Sequence, residues 1–186
     1  LLGSRDLERG KAAAAAVGPN VVAVQLDVTD QASITAAAKR VSEEFGRLDV
    51  LIQNAAITAT GNNHPVTPQE FVAANRPSIV ALDELRAVWD TNVFGVLAVY
   101  QAMLPILRET PNARIVNVSS GAGSLTLASD RNSPMHGSFD ATYAASKTAL
   151  NGLTVAMAIE LESEGIKVNA VSPGYTKTRM SPGGTD

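Results

Sequence analysis

The chain has 186 residues, of which 45% are apolar, 18% are charged and 4% are aromatic. This length and apolar content suit one folded domain with an aliphatic core, and they argue against intrinsic disorder. The net charge of −3 without a basic stripe argues against a nucleic-acid partner, and the lack of cysteine excludes disulfides, thiolate metal sites and a cysteine nucleophile.

The first part of the chain alternates short β-branched runs with helical stretches, which is the pattern of parallel βαβ units. In chain order it predicts a strand stub at residues 1–2, a helix at 6–17, a strand at 21–26, a helix at 30–45 and a strand at 50–53. Asp30 has the side chain of a helix N-cap, and Gly46 is a typical C-terminal stop. The strand at 50–53 is short and mostly apolar, which predicts burial on both faces.

The same alternation continues after an irregular stretch. It predicts a short helix opened by a capping box from Thr67 to Glu70, a long helix at 83–109 that Pro105 should kink or interrupt, a strand at 114–118, a helix at 141–164 and a strand at 166–171. These elements predict one α/β domain over residues 1–186, with a doubly wound parallel sheet. Ligands of such sheets bind at the carboxyl ends of the strands.

The sequence carries few targeting features. Its longest unbroken apolar runs are far shorter than the ~20 residues that a membrane helix needs. No signal peptide is recognisable at its start, and a chain without cysteine suits a reducing compartment. We therefore expect a cytoplasmic protein without a membrane partner. Both histidines, His64 and His136, lie in loop sequence, so neither a histidine metal site nor a Ser–His–Asp triad is expected.

Tyr143 and Lys147 form the most informative pair in the sequence. Residues four apart in a helix lie on one face, with about 5–6 Å between their Cβ atoms. A free tyrosine has a pKa near ~10, and an ammonium about 4 Å away favours the phenolate by up to ~4 kcal/mol. The pair therefore predicts a tyrosine whose pKa is lowered toward neutral pH, as acid–base catalysis requires. The alternative is a solvated pair on a helix surface.

Two further polar residues lie where the ligand crevice is predicted. Ser120 follows the strand at 114–118, so its hydroxyl can donate to a carbonyl oxygen that gains charge during reduction. Asn92 lies inside a predicted helix, where asparagine is not a favoured residue. Each has a structural alternative, which is a serine turn for Ser120 and a buried, hydrogen-bonded amide for Asn92.

The ordered set Asn92, Ser120, Tyr143 and Lys147 resembles the catalytic tetrad of the short-chain dehydrogenase/reductase family. The resemblance implies that Tyr143 gives a proton to a carbonyl or takes one from an alcohol. It implies that Lys147 lowers the pKa of this tyrosine and holds the nicotinamide ribose. Ser120, rather than Ser119, would polarise the substrate oxygen, and Asn92 would anchor a water in the proton relay.

The resemblance extends to the segments with which this family binds its nicotinamide dinucleotide. The residues that it implies for cofactor binding are Asp27, Val28, Asn54, Ala55, Tyr143, Lys147, Pro173, Gly174, Thr176 and Thr178. The stretch over residues 116–180 is most similar to carbonyl-reductase-like members. The implied partner is therefore a small-molecule carbonyl or alcohol substrate.

Arg5 determines which cofactor is predicted. An acidic residue at the end of the second strand of such a fold binds the ribose hydroxyls and favours NAD. Here Ser4 lies near that place and Arg5 follows it, and a guanidinium can bind the 2′-phosphate of NADP with two hydrogen bonds. We therefore predict NADP(H) rather than NAD(H). The alternative is an ordinary exposed arginine.

The family's Gly-rich pyrophosphate loop does not occur in these 186 residues. The family's first strand and this loop would precede Leu1, and that strand is central in the sheet order. The sequence therefore predicts an incomplete Rossmann-like sheet, split where the first strand belongs. We expect that the chain is a piece of a longer protein, truncated at both ends. Alone, it should fold poorly, bind no dinucleotide and be inactive.

Smaller departures from the family pattern concern the pocket and the oligomer. Gln53 and Ala56 replace the family's Asn and Gly, which predicts an altered contact with the cofactor ribose. The interval from Ser120 to Tyr143 is longer than usual in the family and predicts a flap at the pocket. Some carbonyl reductases with such insertions are monomers, so a homodimer through the two long helices and a monomer both remain open.

Two rival functions belong to other classes. A dinucleotide sensor or scaffold on the same fold should carry a broken Tyr-x-x-x-Lys motif, whereas this chain keeps the motif intact. A serine hydrolase needs Gly-x-Ser-x-Gly, but Val118 stands where the first glycine would have to precede Ser120.

Overall fold

The computed structural model describes residues 1–60, 67–174 and 176. Its strands are β1 (Leu2–Ser4), β2 (Ala23–Gln25), β3 (Val50–Gln53), β4 (Arg114–Val118) and β5 (Lys167–Val171). Its α-helices are α1 (Leu7–Val17), α2 (Gln31–Phe45), α3 (Pro68–Ala74), α4 (Leu82–Trp89), α5 (Gly95–Glu109), α6 (Leu125–Ser129) and α7 (Tyr143–Glu160). Strands and helices alternate along most of the chain, so the predicted α/β class is confirmed.

The strands form two parallel sheets, β1-β2 and β3-β4-β5. Leu2 of β1 pairs with Ala23 of β2. In the second sheet, Arg114 of β4 pairs with Val50 of β3 on one side and with Lys167 of β5 on the other. The predicted split between the first two strands and the other three is therefore confirmed.

Strand β3 is not buried on both faces, so this prediction is wrong. Leu51 packs against the core, whereas Ile52, the next residue along the strand, is 62% exposed. Successive side chains of a strand point to opposite faces, and the described residues leave the face that carries Val50 and Ile52 exposed. Gln53 is buried and donates from Nε2 to Oδ1 of Asn117 at 3.1 Å. Its side chain is therefore turned into the protein and does not face a ligand crevice.

The core lies between the strands and the helices α2, α5 and α7. It joins Val24 of β2, Ile115 of β4 and Val168 of β5 to apolar side chains of these helices. The helical run Leu82–Glu109 is long and apolar enough to cross a membrane, with a mean hydropathy of 1.2, and half of the apolar window is buried in the protein. The part that α5 plays in the core accounts for this hydropathy.

The long predicted helix is interrupted, but not at Pro105. The helices α4 and α5 are joined by a π-helical turn at Asp90–Phe94, and Pro105 lies inside α5. Turns of this type are frequent at functional sites. A Cβ on Gly95, directly after the turn, would lie 2.7 Å from the carbonyl oxygen of Val28. The glycine therefore allows the helix to approach the loop that follows β2.

The three helix ends at which the sequence predicts a cap are formed by those residues. The side chain of Asp30 caps α2, and Gly46 ends this helix in the left-handed conformation at φ 66°. The capping box of Thr67 opens α3 as predicted. The helix α7 begins at Tyr143, two residues later than predicted, because the carboxylate of Asp140 binds the amides of its first turn.

Candidate active site

The serine turn, residues 119–123, follows β4 at the carboxyl edge of the sheet. Ser119 is buried and donates to Oδ1 of Asn151 at 2.6 Å. Ser120 is half-buried and opens a 3₁₀ turn, in which its Oγ accepts from the amide of Ala122 at 3.2 Å. Because Ser119 is committed to Asn151, Ser120 is the better placed of the two serines to donate to a ligand.

The helix α7 places Tyr143 and Lys147 one turn apart beside the serine turn. Tyr143 is half-buried, and the side chain of Ser120 lies beside its phenol. Lys147 is only 3% exposed, and its Nζ donates to the carbonyl oxygen of Val118 at 2.7 Å. The same Nζ lies 5.7 Å from the centre of the Tyr143 ring. The structure therefore brings together three of the four residues predicted to be catalytic.

The pKa of Tyr143 is raised from its ordinary value, so the predicted direction is wrong for this structure. Burial is the largest cause, because it disfavours the charged phenolate. The Ser120 side chain beside the phenol lowers this pKa, and the charge of Asp140 raises it. The ammonium of Lys147 is directed to the Val118 carbonyl, and burial lowers the pKa of Lys147 itself to about 8.

Asn92, the fourth predicted residue, lies in the π turn and is fully buried. Its Oδ1 accepts from the amide of Ile57 at 2.9 Å. Its Nδ2 donates to the Ile57 carbonyl at 2.9 Å and to Oγ of Ser146 at 3.0 Å. Ser146 donates in turn to the carbonyl of Tyr143 at 2.7 Å. The Asn92 amide thus ties the loop after β3 to the first turn of α7, and its part in anchoring a water stays a prediction.

Gly123 allows the serine turn to touch the backbone of α7. A Cβ at this position would lie 2.7 Å from the carbonyl carbon of Lys147 and 2.9 Å from the amide nitrogen of Thr148. The carbonyl oxygen of Gly123 accepts from Oγ1 of Thr148 at 2.9 Å and from Nδ2 of Asn151 at 3.3 Å. This contact between two backbones fixes how far Ser120 lies from Tyr143.

A cleft of about 540 Å³ lies at the carboxyl ends of β1, β2 and β3. Its lining includes four of the residues predicted to bind the cofactor, namely Arg5, Asp27, Val28 and Ala55. Asn54, which is exposed, is not among the lining residues. The volume falls in the range of about 300–1,000 Å³ that is usual for cofactor sites.

The chemistry of this cleft fits the nucleoside half of a dinucleotide. The carboxylate of Asp27 accepts from the amide and the hydroxyl of Thr29 at 2.9 and 2.7 Å. These hydrogen bonds, and more weakly the charge of Arg5, lower the pKa of Asp27, so this acceptor stays ionised at neutral pH. Arg5 is exposed beside it, and the small residues Gly3 and Ala55 leave room for a flat base.

The segment after β5 carries the remaining predicted cofactor contacts. Pro173, Gly174 and Thr176 are exposed, and Thr178 lies outside the described residues. Ser172, which the sequence analysis missed, accepts from the amide of Gly121 at 3.1 Å and so ties this segment to the serine turn. Contact between the three exposed residues and a cofactor stays a prediction.

Asp140 and Ser146 are further site residues that sequence analysis missed. Asp140 is 4% exposed and binds the amides at the start of α7, and Ser146 links Asn92 to Tyr143. An aspartate shortly before a predicted helix is a recognisable capping residue, so Asp140 could have been found. The part played by Ser146 depends on the π turn, which the sequence does not predict.

A family model, a curated relative and two solved structures are similar to this chain. The family model described as short chain dehydrogenase matches residues 1–184. The Short-chain dehydrogenase anuI of Penicillium roqueforti (strain FM164) is 32% identical over 98% of this chain and 70% of that protein. The structure of NADPH-bound carbonyl reductase from chicken fatty liver is 32% identical with a TM-score of 0.76, over 99% of this chain and 71% of that one. The Pseudomonas aeruginosa RhlG/NADP active-site complex is 26% identical with a TM-score of 0.72, over 97% of this chain and 64% of that one.

Several other curated relatives are matched over 54% to 58% of their own length, so the chain spans little more than half of them. The match to the family model nevertheless runs along almost the whole chain. It agrees with the parallel sheets flanked by helices and with a crevice that holds a serine, a tyrosine and a lysine. The chain therefore belongs to the short-chain dehydrogenase family of oxidoreductases.

Proposed function

We propose that the protein transfers a hydride between NADP(H) and a carbonyl or alcohol substrate, with Tyr143 as the general acid or base. The observation that carries this proposal is the half-buried phenol of Tyr143 beside the side chain of Ser120, one helical turn from the buried ammonium of Lys147. The cofactor, when bound, supplies the hydride, and the proton is left to the protein.

Each of the three side chains has its own task in carbonyl reduction. The hydroxyl of Ser120 donates to the substrate oxygen and stabilises the charge that develops there. Tyr143 delivers a proton to the same oxygen, and its raised pKa keeps it protonated at neutral pH. Lys147 places a positive charge near the phenol and is the residue that would hold the nicotinamide ribose.

The proposed substrates are aldehydes, ketones or quinones. Two observations support this class, the similarity to the NADPH-bound carbonyl reductase from chicken and the segment between Ser120 and Tyr143. In this segment the helix α6 contacts a 3₁₀ turn at His136–Ser138, which also contacts α3, as expected for a flap at the pocket. A panel of such carbonyls, assayed for NADPH oxidation by the protein expressed from its complete coding sequence, tests the proposal. Tight NADPH binding without turnover of any carbonyl would contradict it.

Arg5 is proposed to select NADP(H). We expect kcat/KM to be higher with NADPH than with NADH, and Arg5→Ala to lower the NADPH value by about 10- to 100-fold, because a charge-assisted phosphate contact is lost. The NADH value should change little. Arg9→Ala removes an exposed arginine of α1 that does not line the cleft, and it is the matched control. A preference for NADH, or equal losses with both cofactors, would show that Arg5 is an ordinary surface residue.

The 186-residue chain alone is proposed to be inactive. Its two sheets share no strand pairing among the described residues, and its sequence holds no Gly-rich loop for the diphosphate. We expect a broad thermal transition and no NADPH binding at micromolar concentration, measured by calorimetry and by fluorescence titration. A cooperative transition together with micromolar affinity would overturn this expectation.

The alternative function is a dinucleotide sensor or scaffold without turnover, which the intact Tyr143 and Lys147 do not favour.

A homodimer through the two long helices is supported by Val155 and Ile159 of α7, which are 59% and 69% exposed. A mass measurement in solution distinguishes this dimer from a monomer. Location in the cytoplasm, without a nucleic-acid or membrane partner, stays a prediction from the sequence.

A further inference from the structure

Asn151 lies on the face of α7 that carries Tyr143 and Lys147, one turn further along the helix. It is half-buried, and the proposed reaction leaves it without a task. Its Oδ1 accepts from the hydroxyl of the buried Ser119 at 2.6 Å, and its Nδ2 donates to the carbonyl oxygen of Gly123 at 3.3 Å. One amide side chain therefore holds both ends of the serine turn.

Three residues of α7, spaced four apart, meet three successive residues at the end of β4. The pairs are Lys147 with Val118, Asn151 with Ser119, and Tyr143 with Ser120. Because the three α7 residues share one rigid helix face, the way in which the serine turn lies on this face sets the separation between the Ser120 hydroxyl and the phenol.

Ser120 is held in place through its neighbours. Its Oγ accepts from the amide of Ala122 at 3.2 Å, and this bond does not use the hydroxyl proton. On one side the backbone is fixed by the amide of Ser119, which donates to the carbonyl of Val171 at 2.8 Å, and on the other side by the bond from Asn151. A hydroxyl that must donate to a substrate oxygen has to be positioned in this indirect way, because a protein acceptor would compete for its proton.

We propose that Asn151 is a positioning residue for Ser120, and that its amide holds the serine turn against α7 so that the Ser120 hydroxyl reaches the substrate oxygen beside the phenol of Tyr143. The inference rests on the function proposed for Ser120. An amide suits this task because it accepts at one end and donates at the other. Without these atoms the turn is free to shift, and a displacement of about 1 Å at such a group can cost about 100-fold in rate.

A double-mutant cycle in the protein expressed from its complete coding sequence tests whether Asn151 acts through Ser120. Asn151→Leu keeps the size of the side chain and removes both hydrogen bonds. We expect it to lower kcat for carbonyl reduction by about 10- to 100-fold and to leave KM for NADPH within about 2-fold. In the Ser120→Ala background the same substitution should change kcat by less than about 2-fold, because the group that it displaces is already absent.

Two further variants separate positioning from stability. Ser119→Ala removes one of the two bonds and leaves α7 intact, so it should give a smaller loss of kcat with the same dependence on Ser120. Thr154→Val is the matched control, because Thr154 also lies on α7 but accepts from Nδ2 of Asn117, inside β4, at 2.8 Å. It should lower the melting temperature and leave kcat unchanged.

Equal losses of kcat from Asn151→Leu in the two backgrounds would show a general structural role and overturn the inference, as would a wild-type kcat in Asn151→Leu. If Asn151→Leu does not fold, the same comparison with Ser119→Ala decides. If Ser120→Ala alone keeps the wild-type kcat, the role proposed for Ser120 fails and the inference falls with it. That outcome is visible in the single variant and is thus distinct from a failure of the cycle.

Discussion

Replacing Lys147 with Met is expected to stabilise the fold while removing turnover. Lys147 is 3% exposed, and the single hydrogen bond of its ammonium among the described residues goes to the Val118 carbonyl. Burial lowers its pKa from 10.5 to about 8, which corresponds to about 3 kcal/mol of destabilisation at neutral pH. Loss of the hydrogen bond offsets about 1 kcal/mol of the gain. We expect a net increase of about 1 to 3 kcal/mol in the free energy of unfolding and a loss of at least about 100-fold in kcat.

The pH dependence of unfolding shows whether the buried charge of Lys147 is the cause of the expected gain in stability. Between pH 8 and 10.5 the Lys147 side chain of the wild type binds more protons in the unfolded chain than in the folded one. The contribution of Lys147 to the free energy of unfolding therefore becomes more favourable as pH rises through that window. The full penalty is present below pH 8. Denaturant unfolding of the Lys147→Met variant should lack this rise. Lys39→Met, at a side chain that is 70% exposed, is the control. A less stable Lys147→Met variant would contradict the account.

Gly123→Ala is expected to lower both stability and turnover. The added Cβ would meet backbone atoms of Lys147 and Thr148 at 2.7 and 2.9 Å, and backbone cannot move aside as a side-chain end can. Overpacking of this kind costs about 1 to 3 kcal/mol. The serine turn must shift away from α7, which separates Ser120 from Tyr143. We expect a fall of about 10-fold or more in kcat, with a smaller change in KM for the cofactor.

Gly121→Ala is the matched control for this prediction. Gly121 belongs to the same turn, and a Cβ there would meet no atom within 4 Å among the described residues. Chemical denaturation and steady-state kinetics of the two variants should therefore differ clearly. Equal behaviour of Gly121→Ala and Gly123→Ala would mean that the contact between the serine turn and α7 does not set the geometry of the site.

Local sequence predicts the helices well where a cap marks their ends. Asp30 and Gly46 bound α2 as predicted, because capping depends on a few neighbouring residues. The π turn at Asp90–Phe94 could not be predicted in this way. It adds a residue to a helix without a change in composition, and it carries Asn92, whose hydrogen bonds go to the distant residues Ile57 and Ser146. The burial of β3 depends likewise on which elements cover the sheet.

The site shows the same division between local and tertiary information. The spacing of Tyr143 and Lys147 and the place of Ser120 after β4 are local, and the structure brings these three residues together as expected. Local sequence does not determine whether the pKa of Tyr143 is raised or lowered. The direction depends on burial and on the Asp140 carboxylate, neither of which a four-residue spacing contains.

A single-turnover experiment with deuterated NADPH tests the central claim most directly. The protein, expressed from its complete coding sequence, is mixed with a ketone and with NADPH that carries deuterium at the transferred position. We predict that the wild type moves the deuterium to the carbinol carbon of the product, and that Tyr143→Phe still binds NADPH but transfers deuterium at least about 100-fold more slowly. Transfer by Tyr143→Phe at the wild-type rate would contradict the account, because the proton would then come from another group.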